Sequence, residues 1–122
     1  HDMDTSFLGD PVGLISGINV VEFKADDKTR EIIKASVEEI GINYVEGVVA
    51  SGDQFIADKS KKDLIVSRFK ASACEMEGAS VAQVCYVNNV KNKLKHFILW
   101  RFQTHYQDFS VVLQATSQSC VR

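Results

Sequence analysis

Apolar positions in this chain fall into short blocks whose spacing switches between that of a strand and that of a helix. Residues 18–23 (INVVEF) are rich in β-branched side chains and predict a strand. Asp26 and Asp27 follow, and their carboxylates suit the free amide hydrogens of a helix's first turn. Ile32, Ile33, Val37 and Ile40 then recur at helical spacing, and Gly41 stands where a left-handed C-terminal residue is wanted. A helix is predicted over about residues 28–40. Residues 43–50 (NYVEGVVA) read as a buried strand that ends in Ser51-Gly52-Asp53. A second helix is predicted over residues 59–69, with Leu64, Ile65 and Phe69 inward and Lys61, Lys62 and Arg68 solvated. Residues 71–74 form a short strand leading into Glu75-Met76-Glu77. The third helix, about 78–88, carries Ala79, Val81, Ala82, Val84 and Cys85; it is apolar nearly all round, which predicts burial. Residues 96–102 (HFILWRF) are a last candidate strand, and the first 18 residues, punctuated by Gly9, Asp10, Pro11, Gly13 and Gly17, read as a surface loop. Strands alternating with helices of this length imply an α/β fold, with parallel pairing and helices on the sheet faces.

Composition narrows the picture. A chain of 122 residues suffices for one domain, and 45% hydrophobic with 25% charged residues is a globular balance that argues against disorder. No run of 18 apolar residues predicts a membrane-spanning helix, and no basic segment followed by an apolar one predicts a signal peptide. With 14 basic and 16 acidic side chains, the net charge of −2 offers no footprint for nucleic acid or an anionic membrane. Cys74, Cys85 and Cys120 are odd in number and lack CxxC spacing, so neither a disulfide framework nor a zinc site is expected, and a reducing cytoplasm fits. The balance breaks near Val90. Residues 1–90 hold 9 basic and 15 acidic side chains, a net of −6, and all seven glycines; residues 91–122 hold 5 basic and 1 acidic, a net of +4, with no glycine and four of the six glutamines. The chain also opens on His1, inside a dense motif. Both features suggest a partial domain over residues 1–99 and an atypical tail over 100–122.

Ligands of open α/β sheets bind at the carboxyl ends of the strands, and two segments hold that position. In Ser51-Gly52-Asp53-Gln54-Phe55-Ile56, the glycine allows close backbone approach, Phe55 offers a flat face for a purine, and the Ile56 backbone is placed to hydrogen-bond the base edge. The competing reading is that Phe55 and Ile56 anchor the next helix to the core. In Glu75-Met76-Glu77 the two carboxylates point to opposite sides of an extended chain, so one faces a cleft and the other pairs with backbone amides or faces solvent. A carboxylate accepts two hydrogen bonds at once, which suits the vicinal hydroxyls of a ribose; the competing reading is an acidic helix N-terminus. No third carboxylate or histidine stands at ligand spacing, so no metal and no cofactor is expected. His1-Asp2-Met3-Asp4 looks like a metal cluster but reads as a terminus that binds nothing, and Cys74 and Cys85 read as small core hydrophobes.

Together, His1-Asp2-Met3-Asp4, Val49-Ala50-Ser51-Gly52-Asp53-Gln54-Phe55-Ile56 and Cys74-Glu75-Met76-Glu77-Gly78-Ala79 resemble the 5′-methylthioadenosine/S-adenosylhomocysteine nucleosidases of the nucleoside phosphorylase superfamily. The resemblance covers residues 1 to about 99. It implies a three-layer α/β fold around a mixed sheet flanked by helices, here only partial, a homodimeric complete protein, and hydrolysis of an N-glycosidic bond that releases adenine in methionine salvage. By the same resemblance Phe55 stacks on adenine, the Ile56 backbone reads its edge, Met76 packs on the ribose and Glu77 holds its hydroxyls. Glu75 is then the outward or supporting carboxylate, and the Phe7-Leu8 loop lies near the dimer interface. The partner is a small purine nucleoside. A phosphorylase using phosphate in place of water is the alternative reaction, and a non-catalytic purine-binding fragment the alternative of another class.

Departures from the pattern concern the catalytic groups. The family's water-activating glutamate lies near its N-terminus, in a half absent from this sequence. Its general acid is an aspartate in an Arg-Ala-Ile/Val-Ser-Asp motif at the end of the strand corresponding to residues 96–102, where this chain has Trp100-Arg101-Phe102-Gln103-Thr104. Reading from the third base of the Trp100 codon, with a CGN codon for Arg101, gives the triplets GCG, NTT, YCA and RAC. These can encode Ala, Val or Ile, Ser and Asp. A frameshift near Trp100 is therefore expected, along with an inactive chain.

Overall fold

The computed structural model describes residues 5–90 and the backbone of residues 110–119. Helix α1 (Asp27–Ile40) starts where Asp26, in extended backbone, accepts from the Thr29 amide at 2.8 Å and the Thr29 hydroxyl at 2.7 Å. It stops at Gly41, whose φ of +75° lets its N–H turn back onto the Val37 and Glu38 carbonyls. Helix α2 (Lys59–Phe69) repeats the device: Asp58 accepts from the Lys61 amide at 3.0 Å, and the chain exits through Lys70 at φ +54°. Helix α3 (Gly78–Val87) begins at Glu77, whose side chain makes no capping bond.

Four strands form one sheet: β1 (Glu22–Lys24), β2 (Asn43–Ser51), β3 (Ala71–Glu75) and β4 (Ser110–Ser119), in the order β1-β4-β2-β3. Strand β2 runs parallel to both of its neighbours, while β1 is antiparallel to β4, so the sheet is mixed. The backbone of 110–119, within the compositionally distinct tail, thus takes an interior place. Side chains alternate along β2. Tyr44 packs with Val37 of α1, Glu46 pairs with Arg30 of α1 at 2.9 Å, and Ala50 packs with Ile65 and Phe69 of α2. Ser51, of opposite parity, meets α3. Two helices on one face and one on the other make the three-layer α/β arrangement.

Both the positions of α1 and α2 and the extents of β2 and β3 follow the sequence pattern to within a residue or two. Other expectations are corrected. The strand predicted over 18–23 is only Glu22–Lys24, because Asn19 at φ +54° turns the chain and Ile15 pairs with Val20 in an isolated bridge. Leu64 is 40% exposed, and α2 buries only Ile65 and Phe69. Helix α3 is not buried all round: Gly78, Ala79 and Ala82 face the sheet, while Val84 and Val87 are about 60% exposed. One sheet face against a single helix covers one stripe, however apolar the rest. The predicted strand at 96–102 and the His1–Asp4 cluster lie outside the described residues. Among those described, no helix is long and apolar enough to cross a membrane.

Candidate functional site

The carboxyl ends of β2 and β3 lie side by side, with Ser51 opposite Glu75. The Gly52 amide donates to the Glu75 carbonyl at 3.0 Å, which keeps the two exits together one residue past the strands. From there one chain passes through residues 52–58 to α2, and the other turns at Met76 and Glu77 into α3. A cavity of about 500 Å³ lies against this edge, within the ~300–1,000 Å³ usual for small-molecule sites. Phe55, Ile56, Cys74, Glu75 and Met76 line it together with Ile65 and Val66 of α2, and Gln54 and Lys62 bring polar groups.

The two residues of the first loop behave differently. Ile56 is half-buried and packs on the cluster of Ala50, Ile65, Phe69 and Ala71, so it anchors the loop. Phe55 is 79% exposed and anchors nothing. Its ring is left in solvent where it borders an apolar cavity. Met76, 43% exposed, lines the same cavity from the turn that follows β3.

Glu75 is turned inward, only 7% exposed. Its Oε2 accepts from the Glu77 amide at 2.8 Å and the Gly78 amide at 2.6 Å, so the carboxylate sits on the N-terminus of α3, where the helix dipole favours negative charge. Gly78 makes room for it: a β-carbon there would lie 2.9 Å from Oε1. Of the two places open to Glu75, outward or supporting, the structure takes the second. Glu77 is exposed at the head of α3 and lies outside the cavity lining. The structure thus brings together Phe55, Ile56, Glu75 and Met76 and leaves Glu77 beside them. The Phe7-Leu8 loop is strongly exposed.

Cys74 is half-buried on the cavity wall. Burial pushes its thiol above the ordinary value; the charge of Lys62 opposes that rise and the charge of Glu75 adds to it. The shift favours the protonated thiol over the thiolate. Among the described residues no group of three His, Cys, Asp or Glu side chains is placed to hold a metal ion. Sequence reasoning assigned no role to Ser51. Its hydroxyl is buried and accepts from the Ala79 amide at 3.1 Å. Its place at the last position of β2, just before Gly52, was the one signal available.

Paired strand ends over an apolar cavity, with an exposed aromatic ring and an adjacent exposed carboxylate, make a small-molecule-sized cleft on an α/β sheet. Residues 1–92 match the phosphorylase superfamily, and the chain belongs to that superfamily. The aminodeoxyfutalosine nucleosidase of Campylobacter jejuni is 42% identical over 85 residues, which cover 70% of this chain and 37% of that protein. For the 5′-methylthioadenosine/S-adenosylhomocysteine nucleosidase of Oceanobacillus iheyensis the identity is 38% over 90 residues, 73% of this chain and 39% of that protein. The solved structure of Helicobacter pylori MTAN superposes with a TM-score of 0.66 at 34% identity, covering 98% of this chain and 45% of that one. The futalosine hydrolase structure of the same organism gives 0.65 at 35% identity, covering 97% and 44%. The chain spans under half the length of these relatives.

Proposed function

We propose that the chain carries the base- and ribose-binding part of a nucleosidase cleft, and that the complete protein hydrolyses the N-glycosidic bond of 5′-methylthioadenosine and S-adenosylhomocysteine to release adenine. The observation that carries this reading is the exposed ring of Phe55 on the lining of a cavity that Met76 also borders. A purine stacks on Phe55, and the Ile56 backbone reads its edge. The ribose packs on Met76, and its diol is held by the exposed carboxylate of Glu77. Glu75 acts from behind, keeping the Met76–Glu77 turn in place. The reaction passes through an oxocarbenium-like state in which a base orients water and an acid protonates the leaving purine.

In the chain as written, Trp100 to Thr104 stand where the family's acid motif is expected, so the chain binds without turning over. A positioned acid contributes about 10²–10⁴-fold, so its loss suffices to abolish useful turnover. The tail beyond residue 99 is read as an out-of-frame segment. Sequencing the encoding DNA through Trp100 tests this: a one-base correction should restore Ala-Val/Ile-Ser-Asp, and DNA that confirms the present frame overturns it.

A second reading takes aminodeoxyfutalosine as the substrate. It is favoured by identities of 42–45% to three aminodeoxyfutalosine nucleosidases against 33–38% to the methylthioadenosine enzymes. Calorimetric titration with adenine, 5′-methylthioadenosine and aminodeoxyfutalosine separates the two. Binding of adenine that is lost in Phe55→Ala supports the cleft, and the tighter of the two nucleosides names the substrate. Binding indifferent to Phe55→Ala overturns the assignment, and rapid phosphate-independent adenine release overturns the claim of inactivity.

A further inference from the structure

Helix α3 lacks a cap of its own, and the groups that supply one come from the ends of two strands. Glu75, at the end of β3, covers the Glu77 and Gly78 amides. The next amide along, Ala79, is covered by Ser51 at the end of β2, 28 residues away in the chain. Ser51 is 4% exposed and Ala79 is 7% exposed, so neither group has ready recourse to solvent. Ser51 also begins the loop that carries Phe55 and Ile56. Beside the backbone bond from Gly52 to Glu75, one buried hydroxyl therefore joins the loop bearing the exposed ring to the head of the helix that follows Met76 and Glu77.

We propose that Ser51 is a positioning residue for the purine nucleoside, an inference that rests on the function proposed above. It touches no ligand. Its bond to Ala79 fixes the head of α3 against the end of β2, and with it the distance between Phe55 on one side and Met76 and Glu77 on the other. A buried hydrogen bond whose loss strands an amide shifts an equilibrium by roughly tenfold. Here the equilibrium is between a cleft already set at the ligand's width and one that must be assembled on binding.

The experiment titrates adenine into the full chain and into three variants: Ser51→Ala, Ser51→Cys and Ser51→Thr. Ser51→Cys keeps the volume of the side chain but accepts a hydrogen bond only weakly, so it carries the test if Ser51→Ala fails to fold. Adenine affinity should fall about tenfold in Ser51→Ala and by less in Ser51→Cys. Ser51→Thr, which keeps the hydroxyl, should restore most of it. Affinity unchanged in Ser51→Ala, or in Ser51→Cys where Ser51→Ala does not fold, overturns the role of Ser51 and leaves the nucleoside cleft standing. Failure of the unaltered chain to bind adenine overturns the cleft reading, and the role of Ser51 within it.

Discussion

Helices α2 and α3 start on the same edge of the same sheet, yet their first turns are held in opposite ways. Helix α2 is capped from within its own stretch of chain, by Asp58 reaching the Lys61 amide three residues on. Helix α3 is capped from outside, by Glu75 and by Ser51. The difference sorts the two sides of the cleft by what they are free to do. Because Asp58 holds α2 locally, the loop before it can leave Phe55 uncovered. Because α3 depends on the strand ends, Oε2 of Glu75 is taken up by backbone amides, and Glu77 has its carboxylate in solvent. Two carboxylates two residues apart thus divide into a buried support and an exposed side chain.

The largest effect on stability should come from Glu75→Ala, which strands the Glu77 and Gly78 amides at the head of α3. Urea unfolding should show a loss of about 1–3 kcal/mol; a change within the error of the midpoint would mean that α3 does not need its remote cap. Phe55→Ala should do the reverse. Its ring is already in water, so stability should hold within about 0.5 kcal/mol while adenine binding falls by at least about tenfold. Comparable loss of both would mean that the ring packs in the fold after all.

A smaller, pH-dependent effect distinguishes the local cap. The Ser60 hydroxyl, and next the Lys61 amide, hold the Asp58 carboxyl below its ordinary 3.8. A lowered folded value means that the cap's contribution is in place above the unfolded value near 3.8 and is lost as pH falls through the folded one. Asp58→Asn keeps an acceptor that does not titrate, so circular dichroism of the variant should show a shallower acid limb below about pH 3.8. An unchanged limb would remove Asp58 from the acid response.

The smallest effect lies away from both helix starts. The Tyr44 hydroxyl donates to Glu38 Oε1 at 2.7 Å, and this bond, with the charge of Glu38, raises the phenol from 10.0 to about 12. Its contribution is whole below pH 10.0 and disappears as pH rises through about 12. Following the Tyr44 ring by NMR should give that midpoint, and Glu38→Gln should return it toward 10.0. A midpoint near 10.0 in the unaltered chain would show the bond to be absent in solution.

Much of this molecule was legible in order of residues alone, and the legible parts share a cause. Asp26 caps α1 through a bond spanning three residues, Gly41 ends that helix by its own conformational freedom, and the valines of residues 43–50 favour a strand whatever lies beside them. The site was legible as types: an aromatic ring after one strand, and a carboxylate pair after the next. Which carboxylate faces inward, what the Ser51 hydroxyl bonds, and how little of α3 is covered were not. Those outcomes depend on groups brought together by the sheet, such as Ser51 and Ala79 across 28 residues of chain, and no local pattern records such a meeting. Short-range bonds are specified by spacing, so sequence determined the helices and the main strands. Long-range bonds exist only once β2 and β3 lie in register, so the tertiary structure decided which side chains were left to meet a ligand.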